Sequence, residues 1–464
     1  MVKNLLRVES MSKHYTMKNP RIELEFRGSE EATAKGGVFA VKAFAEQCGL
    51  WERVGAEAAL ESRKDTSKGY EPVVYVATFL FGFASGGASM ADFERLNDEP
   101  GLKRFLGISR FPDETTLAQW MRAIGKEGAK ILMGINREFI AWALERIAPE
   151  RIVHGGELEW FFDDTQLEVT GKCFESATLN YEGNTTLSWQ TLWAGPFLAC
   201  GELGSGSRDC SELLPEQLDQ CRELLGSRVN YLYADSGSSA GKYLNELESK
   251  VDGFSVSYNK WTSGPERCAK ELPESAWSKE QTLKWRDGKR HRAQHAWMSY
   301  QPEGCERSQL FAVTRHQLEQ GELFWRYAFV CCESTREQSP ALAVERHKLK
   351  GDKERQFSQV LTDMDLHHPP CKSLAANQVF YALGSLAHNL LQAIKLIHLP
   401  DHEQPLRIRT LLHVLMLIPV TFKRHARQLK AVCCVNSRWL PWWRKFAHEL
   451  PALSGLYRLR PSPG

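Results

Sequence analysis

The spacing of hydrophobic residues divides the chain into a helical first third, a strand-rich middle and a helical end. Up to about residue 150, apolar side chains recur every three or four positions, as on one face of an α-helix. The uncharged run 73–83 predicts a buried helix, and Asp113 suits the cap of another. Several short helices in a row suit a DNA-binding or dimerising module, and equally a purely structural domain.

From residue 151 the pattern changes to that of strands and short helices. It predicts three strands, a helix, a strand, a second helix and a last strand, over 158–164, 187–193, 197–201, 213–225, 229–234, 241–250 and 253–258. This order of elements is typical of the start of an RNase H-like α/β core.

Residues 261–334 mix tryptophans with basic residues and alternating apolar segments, which predicts a β-rich insertion. Helical spacing then returns over 341–360 and 379–394. We therefore predict an α/β fold with an RNase H-like catalytic core, a β-rich insertion, and helical N-terminal and C-terminal regions. The predicted boundaries are 1–150 for a helical DNA-binding or dimerisation region, 151–260 for the first part of the core, 261–334 for the insertion, 335–400 for the second part of the core, and 401–464 for a basic helical region.

Composition narrows the class of protein. The formal net charge of +2 does not indicate a nucleic-acid partner, but residues 401–464 contain eleven Lys and Arg against three Asp and Glu, which favours phosphate contact. No segment reaches the roughly 18 apolar residues that span a bilayer, and the N-terminus lacks the apolar core of a secretion signal. The twelve cysteines include no Cys-x-x-Cys, so we expect reduced thiols in a cytoplasmic protein without a membrane partner.

Three acidic residues carry the candidate chemistry. Asp163 ends the first predicted core strand, Asp235 follows the fourth, and Glu354 lies on the helix predicted over 341–360. Carboxylates that converge from such positions can hold two Mg²⁺ ions about 3.5–4 Å apart, the arrangement used for phosphodiester cleavage and transfer. Mn²⁺ can substitute for Mg²⁺.

The first aspartate has a competitor in its neighbour. Asp163 and Asp164 point to opposite faces of a strand, so only one can face the site. Thr165 completes an Asp-x-Thr motif that favours Asp163, with Asp164 as the alternative. Any one of these acids alone could equally be a cap or turn residue.

The glutamate is the least secure of the three by spacing alone. Glu345 and Asp352 lie on the same predicted helix and compete with Glu354. Lys350 precedes Glu354 by one helical turn and shares its face. Lys350 could contact a phosphate beside the metals, or form a surface ion pair.

Basic and aromatic residues alternate in the insertion. Arg290 and Arg292 lie between Trp285 and Trp297. Such a mixture can neutralise phosphates while a flat ring holds an unstacked base. The tryptophans could instead fill the core of a small sheet.

Several motifs together resemble bacterial DDE-type insertion-sequence transposases, and are most similar to the family numbered thirteen-eighty. The resemblance covers roughly residues 22–430. Its motifs are an N-terminal signature, two catalytic strands, the glutamate helix and the helix after it, at 90–100 (MADFERLNDEP), 162–165 (FDDT), 233–237 (YADSG), 351–355 (GDKER), 375–378 (AANQ) and 387–390 (AHNL).

The resemblance implies that Asp163, Asp235 and Glu354 are the metal-binding triad. It also implies an arginine four positions before the glutamate, a tyrosine seven before and a lysine seven after. Lys350, His347 and Leu361 stand at those positions here, so the phosphate contacts could pass to neighbours. The basic neighbours are Arg346 and Lys348.

The function implied by the resemblance is cut-and-paste transposition. It implies binding of double-stranded terminal inverted repeats and target DNA by a homodimer, with Trp285 or Trp297 holding a flipped base in the insertion. Two alternatives stay open: an inactive or domesticated DNA-binding protein, and an RNase H-like nuclease that cuts without rejoining.

Overall fold

The computed structural model describes residues 32–449, apart from 155–156, 171–172, 181, 226–229, 259–262, 286, 320–321, 333–338, 404 and 426–427. For some further residues only the backbone is described and the side chains are not: 154, 223–225, 263, 352–356, 424–425 and 428–429. The fold is mixed α/β. Among the helices in this part of the chain, none is long and apolar enough to cross a bilayer.

The first part of the described chain is helical, in agreement with its apolar spacing. A short strand, β1 (Ala32–Thr33), precedes the helices α1 (Val38–Gln47), α2 (Leu50–Ala56), α3 (Pro72–Ala84), α4 (Met90–Glu94), α5 (Pro100–Leu106) and α6 (Glu114–Leu144). Asp113 caps α6 by accepting a hydrogen bond from the Thr116 amide. Gly125 kinks α6 with a φ of +53°, which glycine adopts at little cost.

A mixed sheet forms the centre of the molecule. Its first elements are β2 (Val153–His154), β3 (Glu157–Glu168), β4 (Thr178–Leu179), β5 (Thr185–Ala194), β6 (Phe197–Ser205), α7 (Leu214–Leu225), β7 (Tyr231–Ala234), α8 (Gly241–Lys250) and β8 (Phe254–Ser257). β3, β5 and β6 pair antiparallel in that order, whereas β7 lies parallel to both β3 and β8. The predicted order of strands and helices is observed, with the short β2 and β4 added.

The strands of the predicted insertion extend this same sheet. After α9 (Ser263–Lys270) come β9 (Gln281–Lys284), β10 (Arg290–Tyr300), β11 (Gln309–Leu318) and β12 (Arg326–Cys332). These strands pair antiparallel in sequence order, and β12 pairs with β8. The order across the sheet is therefore β4-β5-β3-β7-β8-β12-β11-β10-β9, with β2 also on β3 and β6 also on β5.

Two long helices, α10 (Pro340–Asp363) and α11 (Leu374–His398), follow the last strand of this sheet. α11 is buried along nearly all of its length and packs against α3, α6 and β6. Asn389 of α11 donates a hydrogen bond to Asn136 Oδ1 on α6 at 2.7 Å and accepts one from the Leu198 amide on β6 at 2.9 Å. Buried polar groups are thus satisfied while the N-terminal helices are tied to the sheet.

The C-terminal region differs from the helical prediction. The region begins with α12 (Ile408–Leu411) and a π-helical turn, Leu412–Met416. The chain then forms two strands, β13 (Val420–His425) and β14 (Gln428–Cys433), and ends its described part with the helix α13 (Leu440–Glu449). β13 pairs with β14 on one side and with β1 on the other. The run Val420, Thr421 and Phe422 favours a strand. Because β1 lies far away in sequence, local periodicity does not indicate this pairing.

Candidate active site

Two of the three predicted acidic residues lie at the same level on neighbouring parallel segments of the chain. Asp235 directly follows β7, as predicted, whereas Asp163 lies within β3 and not at its end, because β3 continues to Glu168. Phe161 of β3 lies beside Tyr233 of β7 in the strand register, and their rings stack with centroids 5.0 Å apart. Asp163 comes two residues after Phe161, and Asp235 two residues after Tyr233, so both extend from the same face of the sheet. Buried strand residues therefore fix both carboxylates at the carboxyl end of β7.

The alternation of β3 separates Asp163 from Asp164. Asp164 accepts hydrogen bonds from Ser188 Oγ at 2.6 Å and from Gln166 Nε2 at 3.0 Å, which commits it to the opposite face. Asp163 accepts a hydrogen bond from Thr165 Oγ1 at 3.2 Å. Of the two neighbours, Asp163 is the carboxylate on the same face as Phe161 and α10.

Helix α10 covers this face and adds a positive charge. Phe357 meets the Phe161 ring edge to face, with centroids 6.0 Å apart. Two turns earlier on the helix, Lys350 Nζ lies 2.6 Å from Asp235 Oδ2 and 3.7 Å from Asp163 Oδ1. The Lys350 side chain is only 4% exposed. A buried ammonium group is therefore held between the two carboxylates.

Glu354 lies on α10, and its side chain is outside the described residues. Position 354 lies one turn after Lys350 and less than one turn before Phe357. The Phe357 ring stacks on Trp193 with centroids 4.6 Å apart. Both flanking residues lie on the sheet-facing side of the helix. The role of Glu354 in the site stays a prediction.

Burial and charge have opposite effects on the first aspartate. Burial raises the pKa of Asp163 above its ordinary value, the Lys350 ammonium lowers that pKa, and the nearby Asp235 carboxylate raises it. Burial also raises the pKa of Asp164. The Lys350 ammonium therefore favours the ionised form of Asp163, whereas burial and Asp235 oppose it.

Arg346 and Lys348, the predicted basic neighbours of the site, contact other parts of the protein. Arg346 Nε donates a hydrogen bond to the Tyr233 hydroxyl at 2.9 Å, and its guanidinium carbon lies 3.7 Å from the centre of the Tyr231 ring. Arg346 thus fastens α10 to β7. Lys348 is 53% exposed and forms an ion pair with Glu345.

His347 and Leu361, which stand where the resemblance implies a tyrosine and a lysine, also pack against the protein. His347 Nε2 lies 2.7 Å from Ser257 Oγ, and His347 Nδ1 contacts Ser255 Oγ. Leu361 packs against the hydrophobic core. Both positions therefore stabilise the seat of α10 on the sheet.

The two described carboxylates fit a hard divalent cation. Carboxylate oxygens are the ligands that Mg²⁺ and Mn²⁺ prefer. Asp163 and Asp235 already hold one cationic group, the Lys350 ammonium, between them. Within the described part of the chain, no group of three or more His, Cys, Asp or Glu side chains could hold a metal ion. A third protein ligand would therefore have to come from a position such as 354.

The two candidate tryptophans of the insertion lie in different surroundings. Trp297 on β10 packs against a small buried cluster that includes Ala312 and Ala343. Trp285, in the connection between β9 and β10, stacks on His316 with ring centroids 3.6 Å apart and is half-buried. Trp297 is also half-buried, and the contact with this cluster agrees with the interpretation that tryptophans fill a small sheet core.

The candidate arginines of the insertion lie near solvent. Arg290 is 70% exposed and forms an ion pair with Glu319 at 3.2 Å. Arg292 is 40% exposed and lies 3.8 Å from Glu280. Both arginines lie at the start of β10, next to the connection from β9.

Two connections of the insertion project from the end of the sheet that carries Asp235. β12 runs antiparallel to β8, so the connection from β11 to β12 lies at the carboxyl end of β7 and β8. The antiparallel pairing of β10 with β11 brings the connection from β9 to β10 to the same end. Leu323 and Phe324, which are 89% and 80% exposed, lie in the first of these connections.

The sequence did not predict that Lys350 contacts both aspartates. Its spacing before Glu354 indicated only the face of the helix, and allowed either a phosphate contact or a surface ion pair. Its burial excludes the surface ion pair. Only the pairing of β3 with β7, and the packing of α10 across them, brings the three groups together.

Comparison with known families gives one match. Residues 14–454 match the model of the family described as transposase DDE domain group 1. A search of curated proteins gave no match. The family match spans nearly the whole chain, including both aspartates, Lys350 and the strands of the insertion.

Proposed function

We propose that this chain, which belongs to the transposase DDE domain group 1 family, cuts and joins DNA with Asp163, Asp235 and Glu354 as metal-binding carboxylates. The observation that carries the proposal is the parallel register of β3 and β7, with Lys350 Nζ between the two aspartates. Antiparallel β3, β5 and β6 followed by parallel β7 and β8 support an RNase H-like core.

Phosphodiester cleavage develops negative charge on the attacking and the leaving oxygen. Two bound Mg²⁺ ions, or Mn²⁺ in their place, supply a Lewis acid for each oxygen. Asp163 and Asp235 would hold them from strand positions fixed by the core, and the Thr165 hydroxyl orients Asp163. Because the carboxylates are built on strands, little reorganisation is needed when DNA binds.

We infer that DNA crosses the end of the sheet where the aspartates lie. Arg290 and Arg292 of the insertion would neutralise phosphates there. Trp285 and the exposed Phe324 lie in connections at that end and suit contact with an unstacked base better than Trp297, which lies within β10 and packs against a small buried cluster.

The proposed substrate is double-stranded DNA that carries terminal inverted repeats, with a homodimer pairing two such ends before strand transfer to target DNA. The hairpin β13–β14 offers a further phosphate contact. Lys423 and Lys430 face each other across it and are both exposed. Like charges directly opposite destabilise a hairpin, and a phosphate between them would relieve this repulsion.

A second candidate function is DNA binding without strand transfer. It is favoured by His347 and Leu361, which stand where the resemblance implies residues that contact the transferred strand. His347 is held by Ser257, and Leu361 packs against the core. The charge at Lys350 and the paired aspartates favour the catalytic function.

The test is incubation of the purified chain with Mg²⁺ and a plasmid carrying the DNA that flanks its coding sequence. We expect cuts at defined flanking positions, lost in Asp235→Ala and retained in Asp219→Ala. Asp219 is a matched control because it is a half-exposed aspartate that pairs with Lys250 on the surface.

Gel-shift binding measured beside cleavage separates the two candidate functions. Cleavage and joining that need Asp235 support the transposase. Specific binding without cleavage by the unaltered chain supports the DNA-binding protein. Cleavage retained in Asp235→Ala would contradict the assignment of the metal-binding carboxylates.

A further inference from the structure

The ammonium group of Lys350 places a positive charge between two carboxylates that would otherwise repel each other. Its Nζ is 2.6 Å from Asp235 Oδ2 and 3.7 Å from Asp163 Oδ1. The lysine side chain is 4% exposed, whereas those of Asp163 and Asp235 are 23% and 59% exposed. The most buried partner of this ion group is therefore the cation, Asp163 is largely buried, and the Asp235 carboxylate opens towards solvent.

Both partners need this contact when no metal is bound. A buried ammonium without a partner is costly, because it has lost its water without gaining a counter-charge. Two neighbouring carboxylates raise each other's cost of ionisation in the same way. The ammonium group thus neutralises the pair and holds the two side chains together.

The seat of α10 does not depend on Lys350 alone. Arg346 bonds the Tyr233 hydroxyl, His347 contacts Ser257, and Phe357 packs on the aromatic residues of the sheet. The Lys350 side chain can therefore leave the carboxylates by rotating about its own flexible stem while the helix backbone stays in place.

We propose that Lys350 is the resident counter-ion of Asp163 and Asp235, and that a divalent cation must displace its ammonium group to bind between them. This inference rests on the proposed function, since it assumes that the two aspartates hold metal. Lys350 is then a positioning residue in the metal-free protein that weakens metal binding by competing for the same oxygens.

The resident counter-ion has two measurable consequences of opposite sign. Removing the charge leaves the carboxylate pair without neutralisation, so the metal-free protein becomes less stable. The same change removes the competitor, so divalent cations bind more tightly. A residue whose role is only structural would lower stability without tightening metal binding.

The test compares Lys350→Met with Lys348→Met in the full chain without DNA. Methionine keeps the length of the side chain and removes the charge, and Lys348 is an exposed lysine on the same helix. We expect Mn²⁺ to bind Lys350→Met about tenfold more tightly in isothermal titration, because one unit charge beside the site is lost. The Tm of the metal-free variant should fall, and Lys348→Met should match the unaltered chain.

Lys350→Gln provides a second variant should Lys350→Met fail to fold. Its amide can donate one hydrogen bond to a carboxylate but carries no charge, so it should tighten Mn²⁺ binding in the same direction. Mn²⁺ affinity that is unchanged or weaker in the folded variant overturns the inference.

Titration of the unaltered chain and of Asp235→Ala separates this inference from the proposed function. If neither the unaltered chain nor Lys350→Met binds Mn²⁺, or if Asp235→Ala binds it as well as the unaltered chain, the metal site itself is wrong and both proposals fail. If binding needs Asp235 but does not tighten in Lys350→Met, only the counter-ion role of Lys350 fails.

Discussion

Two buried cations, Lys350 beside the aspartates and Arg315 in the insertion, each need a counter-charge and obtain it in different ways. Their side chains are 4% and 7% exposed, and each pairs with a carboxylate. Arg315 Nη1 donates to Glu274 Oε1 at 2.8 Å, and Arg315 Nε donates to Gln294 Oε1 at 2.9 Å. Its planar donors are thus fixed by several partners at once.

The surroundings of the two cations differ as much as their partners. The Arg315 guanidinium lies 4.4 Å from the centre of the Trp277 ring and 4.8 Å from that of Trp325. Lys350 is a single point charge between two carboxylates, one of which, Asp235, is 59% exposed. A cation that is stacked on rings and fixed by several donors suits a permanent structural role, whereas a flexible point charge beside two carboxylates suits the proposed exchange with a metal ion.

The largest expected effect lies at the carboxylates around Lys350. We expect Asp163→Asn to lower the single-turnover cleavage rate at least about 1,000-fold, because a neutral amide is a poor ligand for a divalent cation. Asp164→Asn is the matched control, because an asparagine oxygen can still accept the hydrogen bond from Ser188. Equal losses in the two variants would contradict the choice of Asp163.

Replacement of Arg315 should lower the stability of the protein and leave its binding of metal ions unchanged. We expect Arg315→Met to lower the free energy of unfolding by about 2–3 kcal/mol, because the stacking and the hydrogen bonds of the guanidinium are lost together. Denaturant titration with and without Mn²⁺ measures this effect. Mn²⁺ should stabilise Lys350→Met more than it stabilises Arg315→Met. An equal gain in both variants would remove the distinction between the two cations.

A smaller effect is expected from pH in the metal-free protein. Burial raises the pKa of Asp163 above the unfolded value of 3.8, so the folded state prefers the protonated form. Stability present below 3.8 is therefore lost as the pH rises through the folded pKa. Asp163→Asn in a Lys350→Met background, where no ammonium loses a partner, lacks this loss and should unfold at higher denaturant concentration than Lys350→Met near neutral pH, with the difference shrinking in acid. Lower stability of the double variant than of Lys350→Met at neutral pH would contradict this.

The smallest effect on stability is expected at an exposed cation. Arg290 pairs with Glu319 at the surface, so Arg290→Ala should change the free energy of unfolding by less than about 0.5 kcal/mol. If Arg290 contacts a phosphate, the slope of log affinity for DNA against log salt should fall by about 1. Lys270→Ala removes another exposed lysine that forms an ion pair, with Glu266, and tests whether any surface cation gives the same slope change.

Local patterns were sufficient for most of the central elements. Helices such as α8 and α10, and strands such as β3, β7 and β8, were predicted within a few residues, because their apolar spacing reflects the faces that they bury. The spacing of Thr165 favoured the aspartate that lies on the α10 side of β3. The catalytic roles of Asp163, Asp235 and Glu354 stay predictions.

Local patterns failed where the partner of a segment is distant in sequence. The hairpin of β13 and β14 was expected to be helical, and its pairing with β1 joins residues at opposite ends of the described chain. Trp297 is a candidate for base contact, and its spacing did not indicate that it packs beside residues of β11 and α10. Periodicity indicates that a face is buried and not which segment covers it.

The sequence by itself determined which residues carry the candidate chemistry and on which kind of element each lies. Aspartates beside two predicted strands, Asp163 and Asp235, and a helix with Lys350 and Glu354 follow from residue type and spacing alone. The strand end predicted at Asp163 is wrong, because β3 continues to Glu168. Only the tertiary structure decided that the ammonium of Lys350 lies between the two aspartates. The reason is physical: a buried charge is tolerated only beside its counter-charge, and strand register and helix packing decide which counter-charge that is.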